Sequence, residues 1–272
     1  MGAMTLTQTP EQDSARGRRA VEAALESGIT LFDTADSYGP TDEMGVNERA
    51  LIAALRSHPG ALDHVVVSTK GGHTRGPNAT WWVDGSPEHL ARAARESALR
   101  LGFEALPLFH LHRPDVKVPL EDSLGALAQL VDDGVVVRVG VSNVDADQLL
   151  LALDILGDSL VSVQNEYSPL ARGSDPVLRL CEEHGLAFLA WGPLGGMRSA
   201  KGLGEEAAAF RAVAAAREVS VQVIALAWLL RLSPVLIPIP GASRPESVRD
   251  SCLAPGIDLT DEELAQLNGS VA

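Results

Sequence analysis

The sequence predicts an α/β chain, a (β/α)8 TIM barrel, and three observations predict it. Short β-branched or apolar runs alternate with longer amphipathic stretches from one end to the other. The short runs are apolar almost throughout, as strands are when helices cover both faces of a parallel sheet. There are eight of them, the number that closes such a barrel; an open doubly wound sheet is the main competitor.

The runs can be taken in order. Residues 2–7 precede an amphipathic stretch starting near Glu11, and residues 29–33 precede one from Gly45. Residues 65–70 lead to a helix at Pro87, where Ser86 is the N-cap ahead of a proline in the first turn. Residues 106–112 lead to a helix at Leu120. Residues 136–142 lead to one at Ala146, opened by Asp145 as a cap. Residues 160–165, 187–191 and 235–239 precede helical patterns from Asp175, Glu205 and Pro245. Residues 259–268 are left over as an extra C-terminal helix, with Thr260 as its cap. The longest irregular stretch, 71–85, lies within one strand-to-helix connection and reads as an active-site loop. No repeat, low-complexity tract or linker is visible, so residues 1–272 read as a single barrel domain.

Hydrophobic residues make up 46% and charged residues 21%, enough apolar material for a large core. The net charge of −14 repels phosphate backbones and anionic membranes, which argues against nucleic acid and membrane surfaces as partners. A phosphate-bearing ligand then needs a local basic pocket. Cys181 and Cys252 form no C-x-x-C pair and suit a reducing cytosol as small core residues. No basic region followed by an apolar core opens the chain. The longest apolar stretch, 221–230, contains Gln222 and is too short to span a bilayer. The expectation is a cytoplasmic protein; its oligomeric state is not legible.

In such a barrel, function gathers where strands end. The second run ends in Asp33-Thr34-Ala35-Asp36-Ser37-Tyr38-Gly39, the third in Lys70-Gly71-Gly72, and the fourth in His110-Leu111-His112-Arg113. One rim thus collects a carboxylate, a phenol, an amine and an imidazole. Hydride reduction of a carbonyl leaves a developing alkoxide, which needs a positioned acid. A phenol with a pKa near 10 is a poor donor unless something stabilises its anion, and a neighbouring ammonium does so by lowering the phenol's pKa. A carboxylate keeps that ammonium charged when buried, and an imidazole can orient the carbonyl oxygen.

The run DTADSYG, the segment VVVSTKGG and the segment LFHLHRPD resemble the three catalytic signatures of the aldo-keto reductase superfamily. The resemblance continues in GVSN, VQNEYSPL, AWGPLGG and IPIPGASRPESV, covering the second to eighth strands in the family's order. It implies an NADPH-dependent enzyme that reduces a small aldehyde or ketone. Tyr38 is then the acid, Lys70 its activator, Asp33 the partner of Lys70, and His112 the substrate-orienting group. It also implies a nicotinamide site at Ser142, Asn143 and Gln164, with Trp191 stacking where the family usually has tyrosine. Gly192 and Leu194 follow on the same loop. Ser243, Arg244 and Ser247 fall where the family wraps the adenosine 2′-phosphate, with Arg249 in reach. Asp250 and Ser251 occupy the adenine positions, where the family typically has Glu and Asn. The usual N-terminal hairpin that plugs the barrel floor is missing from the pattern.

Three features point elsewhere. The GLGEEA of residues 202–207 matches a loose dinucleotide fingerprint but follows a polar stretch instead of a strand. His110-x-His112 places two imidazoles on one strand face and, with His73 and Asp33, offers a zinc-dependent barrel hydrolase as an alternative. That reading leaves Lys70 and Tyr38 without a task, and His110 reads better as a hydrogen-bonded core residue. A further alternative is a non-catalytic NADP-binding regulatory module. Within 71–85, the residues His73, Arg75, Asn78, Trp81, Trp82 and Asp84 suit a ring-shaped polyol or sugar, or else the tryptophans simply pack the loop down.

Overall fold

The computed structural model describes residues 1–8, 14–195 and 208–271. The first helix, α1 (Ser14–Glu26), leads into β1 (Leu31–Asp33), and α2 (Val46–Arg56) into β2 (Val66–Gly71). Next come β3 (His73–Gly76), β4 (Thr80–Val83), α3 (Pro87–Leu101) and β5 (Leu108–Leu111). The alternation continues through α4 (Leu120–Asp132), β6 (Val139–Ser142), α5 (Ala146–Leu156), β7 (Leu160–Glu166), α6 (Asp175–His184) and β8 (Ala187–Trp191). It ends with α7 (Ala208–Arg217), α8 (Val221–Leu232), β9 (Leu236–Pro238), α9 (Pro245–Ser251) and α10 (Asp261–Asn268).

Seven parallel strands curl in the order β1-β2-β5-β6-β7-β8-β9. The start of the chain closes them into a barrel. Gly2 bridges both Asp33 at the end of β1 and Gly241 beyond β9. Asp33 N donates to Met1 O (2.9 Å), Ala3 N to Asp33 O (2.7 Å) and Gly2 N to Pro240 O (3.1 Å). A Cβ at Gly2 would lie 2.9 Å from the Ile239 carbonyl oxygen, so only glycine lets the two edges approach this closely.

The expected first strand, 2–7, is therefore corrected: only its first residues pair, and Met4–Leu6 form a 3-10 turn. The Ala3 carbonyl, which would carry the ladder onward, accepts instead from Leu6 N (2.9 Å) and Asn47 Nδ2 (2.8 Å). Residues 71–85 are corrected too. They form an antiparallel hairpin, β3 with β4, pairing His73 with Val83, Thr74 with Trp82 and Arg75 with Trp81. Arg75 and the turn at Asn78 and Ala79, both left-handed, hide this β pattern from a simple alternation count. The helix expected from Glu205 starts among residues that are not described. Beyond them the chain forms two helices, α7 and α8, broken at Glu218 (φ 55°) and restarted by Ser220, whose Oγ accepts from Val223 N. The GLGEEA stretch and the Glu11 helix start also lie outside the described residues.

The other helix starts follow their capping chemistry. Ser86 accepts from His89 N ahead of Pro87, while Asp145 with Gln148 and Thr260 with Glu263 form reciprocal capping boxes. The helix α10 is tied down by Trp228 Nε1 to Asn268 Oδ1 (2.8 Å) and by the Arg217–Glu263 ion pair. Between helices and sheet, Phe32, Leu51, Leu90, Phe109, Phe188, Phe210 and Trp228 are completely buried. Each contributes about 1.5–3 kcal/mol by leaving water, so a truncation such as Leu90→Ala would loosen the α3 wall of the barrel.

Inside the barrel one layer is polar. His110 contacts Ser68 Oγ through Nδ1 (3.1 Å) and Ser162 Oγ through Nε2 (2.9 Å). Gly140 faces this ring, and a Cβ there would come within 2.3 Å of it.

Candidate active site

Directly above this layer, the strand ends converge. The parallel register sets Asp33 beside Ser68 and Lys70 beside His110. Lys70, fully buried, donates from Nζ to Asp33 Oδ2 (2.6 Å), to Thr34 O (2.8 Å) and to Tyr38 Oη (3.3 Å). The Tyr38 ring meets the His112 ring edge to face, centroids 5.6 Å apart. All four residues expected at the rim are thus brought together.

Their protonation follows from burial and neighbours. Burial works against a charge on Lys70, but the carboxylate of Asp33, with Tyr38 adding to it, outweighs this and holds the ammonium above its ordinary pKa. Burial likewise raises the Tyr38 phenol, and the opposing pull of Lys70 does not cancel it. Lys70 lowers the phenol's pKa, as expected from the sequence, but burial, which that expectation left out, makes the net shift upward. The site accordingly holds a protonated phenol at neutral pH. Burial, reinforced by His73, Lys70 and Arg113, holds His112 well below the usual imidazole range, so it is neutral.

A second group of side chains continues from these. Gln164 Nε2 donates to Asp33 Oδ1 (2.8 Å), and Ser142 Oγ donates to the Gln164 carbonyl (2.6 Å). Asn143, left-handed at φ 59°, donates from Nδ2 to His112 O and to Ser142 Oγ, both at 2.9 Å. The Trp191 indole N–H is buried with no hydrogen-bond partner among the described residues. With Gly192 and Leu194 these residues line a cavity of about 730 Å³, which begins at Asp33, Tyr38 and His112 and extends to Ser243, Arg244 and Ser247.

The family model for aldo/keto reductases matches residues 1–272. The chain belongs to the aldo/keto reductase family. Among its relatives is an uncharacterised oxidoreductase of Schizosaccharomyces pombe, 36% identical over 272 residues that cover 98% of this chain and 84% of that protein. The pyridoxine 4-dehydrogenase of Escherichia coli is 31% identical over 267 residues, covering 96% of this chain and 88% of the relative. Among solved structures, an aldo/keto reductase from Klebsiella pneumoniae in complex with NADP and acetate superposes with a TM-score of 0.81. It is 29% identical, with 100% of this chain and 90% of that one covered.

Three positions marked in the sequence of this family member do not line the cavity. Asp250 turns to α8, accepting from Ser220 Oγ (2.7 Å), and Ser251 lines no part of the cavity wall. Arg249 pairs with Glu26 on the surface (3.1 Å).

The structure adds residues that the motifs passed over. Arg16 of α1 reaches Ser243, donating from Nε to its carbonyl (3.0 Å) and from Nη2 to its Oγ (3.2 Å). It lines the cavity beside Arg244. The basic cluster Arg16-Gly17-Arg18-Arg19 in so acidic a chain was the available signal. Met4 and Thr5 also line the cavity, together with His73 and Trp81 of the 71–85 segment and Arg113 of the fourth run's motif, the last three already noted in the sequence. The zinc alternative loses its first imidazole, since both nitrogens of His110 are engaged by serines. Among the described residues, no group of three His, Cys, Asp or Glu side chains is placed to hold a metal ion.

Proposed function

We propose that this chain is an NADPH-dependent oxidoreductase that interconverts an aldehyde or ketone with its alcohol, using Tyr38 as the acid. The observation that carries this reading is the buried Lys70 ammonium, held at once by Asp33 (2.6 Å) and within 3.3 Å of the Tyr38 hydroxyl at the cavity floor.

The residues present fit the cofactor. Ser142, Asn143 and Gln164 offer a hydroxyl and two amides beside the flat Trp191 ring. Arg16, Ser243, Arg244 and Ser247 gather guanidinium and hydroxyl donors at the other part of the cavity, the donor set a phosphate takes in an otherwise acidic chain. A bound nicotinamide supplies the hydride.

The chain's own residues then do the rest. His112, neutral, donates a hydrogen bond that orients the carbonyl oxygen toward Tyr38. Tyr38 transfers its phenolic proton to that oxygen as negative charge develops there. Lys70 stabilises the tyrosinate left behind, Asp33 keeps Lys70 charged, and solvent restores the phenolic proton. The family match along residues 1–272 supports a single barrel domain, and the free Cys181 and Cys252 fit a reducing, cytoplasmic setting. No single helix among the described residues is long and apolar enough to cross a membrane.

The test is NADPH oxidation with a panel of aldehydes and ketones, repeated with Tyr38→Phe. The variant should bind NADPH and fail to turn over, and retention of even about a tenth of the rate would remove Tyr38 from the acid role. NADPH binding without carbonyl-dependent oxidation by the unmodified protein would favour the regulatory module instead.

A further inference from the structure

The hairpin β3–β4 puts a second imidazole into the site. His73 lies flat on His112, centroids 4.1 Å apart and planes 14° from parallel. Its other side meets the Trp81 ring edge to face at 5.5 Å. Trp81 is itself backed by the Arg75 guanidinium, 4.0 Å from the ring centroid. Arg75 is anchored in turn to Gly39 O and Thr41 O, both at 3.1 Å, on the loop that carries Tyr38. The His73 ring is therefore clamped in place.

Both of its nitrogens are nonetheless buried without a hydrogen-bond partner among the described residues. Two unmet polar atoms on a clamped ring, beside the reacting groups, call for a ligand atom to meet them. His73 lines the same cavity as Tyr38 and His112. Burial, with Arg113 and Lys70 nearby, lowers its pKa to about 4, which leaves a neutral ring with one donor and one acceptor nitrogen. A substrate hydroxyl can meet whichever of these nitrogens faces it, donating to the bare nitrogen or accepting from the N–H; a carboxylate, acceptor only, can meet the N–H alone.

We propose that His73 reads a hydroxyl on the carbon next to the reacting carbonyl, so that the preferred substrates are 2-hydroxy aldehydes and ketones. This rests on the oxidoreductase reading above: His112 takes the carbonyl oxygen, and the ring stacked on it takes the neighbouring oxygen. The hairpin is then a specificity element, carrying both the hydroxyl-reading imidazole and the indole that braces it. A substrate lacking the hydroxyl leaves that His73 nitrogen desolvated and unmet, and discrimination follows from that loss.

The experiment compares kcat/KM for 2-hydroxypropanal and propanal, which differ only in that hydroxyl. The unmodified protein should prefer 2-hydroxypropanal. His73→Phe keeps a flat ring against His112 and removes both nitrogens, and should lower the preference by about tenfold, chiefly through KM. His73→Gln, which restores a donor and an acceptor, should recover part of it. NADPH binding by each variant verifies that the fold is intact. A preference unchanged in His73→Phe would overturn the proposal. So would an equal loss for both aldehydes, which would mean that His73 acts only by holding His112. If the unmodified protein binds NADPH but shows no oxidation of it that depends on any carbonyl compound, the oxidoreductase reading fails first and this one with it. If it reduces carbonyls but favours the deoxy partner, only this inference fails.

Discussion

Gln164 donates its amide N–H to Asp33 Oδ1 at 2.8 Å across 131 residues, while Lys70 takes the other carboxylate oxygen at 2.6 Å. One buried carboxylate thus links the proton-donating group to the wall assigned to the nicotinamide. Ser68 Oγ also donates to Oδ1, at 3.2 Å.

Removing that carboxylate should cost stability as well as activity. Asp33→Ala leaves the Lys70 ammonium buried and uncompensated, and orphans the Gln164 amide donor. Breaking one side of a buried pair costs about 3–5 kcal/mol, which urea unfolding can measure. A loss under about 1 kcal/mol would show that water or a rearranged neighbour replaces Asp33.

The pH profile of reduction follows from two opposite shifts. Tyr38 must be protonated to act, and its raised pKa delays loss of the proton until pH climbs past the ordinary phenol value. His112 acts as a neutral ring, and its depressed pKa delays protonation until pH falls well below the ordinary imidazole value. Reduction should therefore be flat between about pH 6 and pH 9. Alcohol oxidation, which needs the phenol deprotonated, should rise over the same range. A reductive rate that falls with an apparent pKa near 7 would contradict the burial argument for Tyr38.

Cofactor choice should depend on two arginines from opposite ends of the chain. Arg244→Ala and Arg16→Ala should each weaken NADPH binding by roughly 1–3 kcal/mol and spare NADH, since only the former carries the extra phosphate. Titration of both cofactors checks this. Equal losses for the two would mean that these guanidinium groups support the loop without reading the phosphate.

Trp191 is distinguishable from the other tryptophans by its surroundings. Trp228 is buried and bonded to Asn268, whereas Trp81 and Trp82 are exposed on the hairpin. Binding of NADP should quench part of the fluorescence, and Trp191→Leu should remove most of that quench and about 0.5–1.5 kcal/mol of affinity. A quench that survives the substitution would place the nicotinamide elsewhere along the cavity.

Much of this was legible before the chain was folded. The alternation of apolar runs with amphipathic stretches is a local property, and so are the caps at Ser86, Asp145 and Thr260, each satisfying backbone groups within a few residues. The rim residues Asp33, Tyr38, Lys70 and His112 were legible because each stands at or just past a strand end, where a parallel barrel gathers its chemistry. The hairpin was not, because charged and tryptophan residues mixed along β3 and β4 blur the period of two.

Local pattern was enough for the barrel class, most of the alternating elements and the set of titratable groups at one rim. Only the tertiary structure decided which polar atoms meet. It joined Gly2 to both edges of the sheet, laid His73 on His112, brought Arg16 to Ser243 across 227 residues, and turned Asp250 away to Ser220. It also decided that burial outweighs Lys70 in setting the Tyr38 proton. The reason is one of range: periodicity and capping act over a few residues along the chain. Hydrogen-bond partners and desolvation depend on what closure of the barrel places within a few ångströms in space.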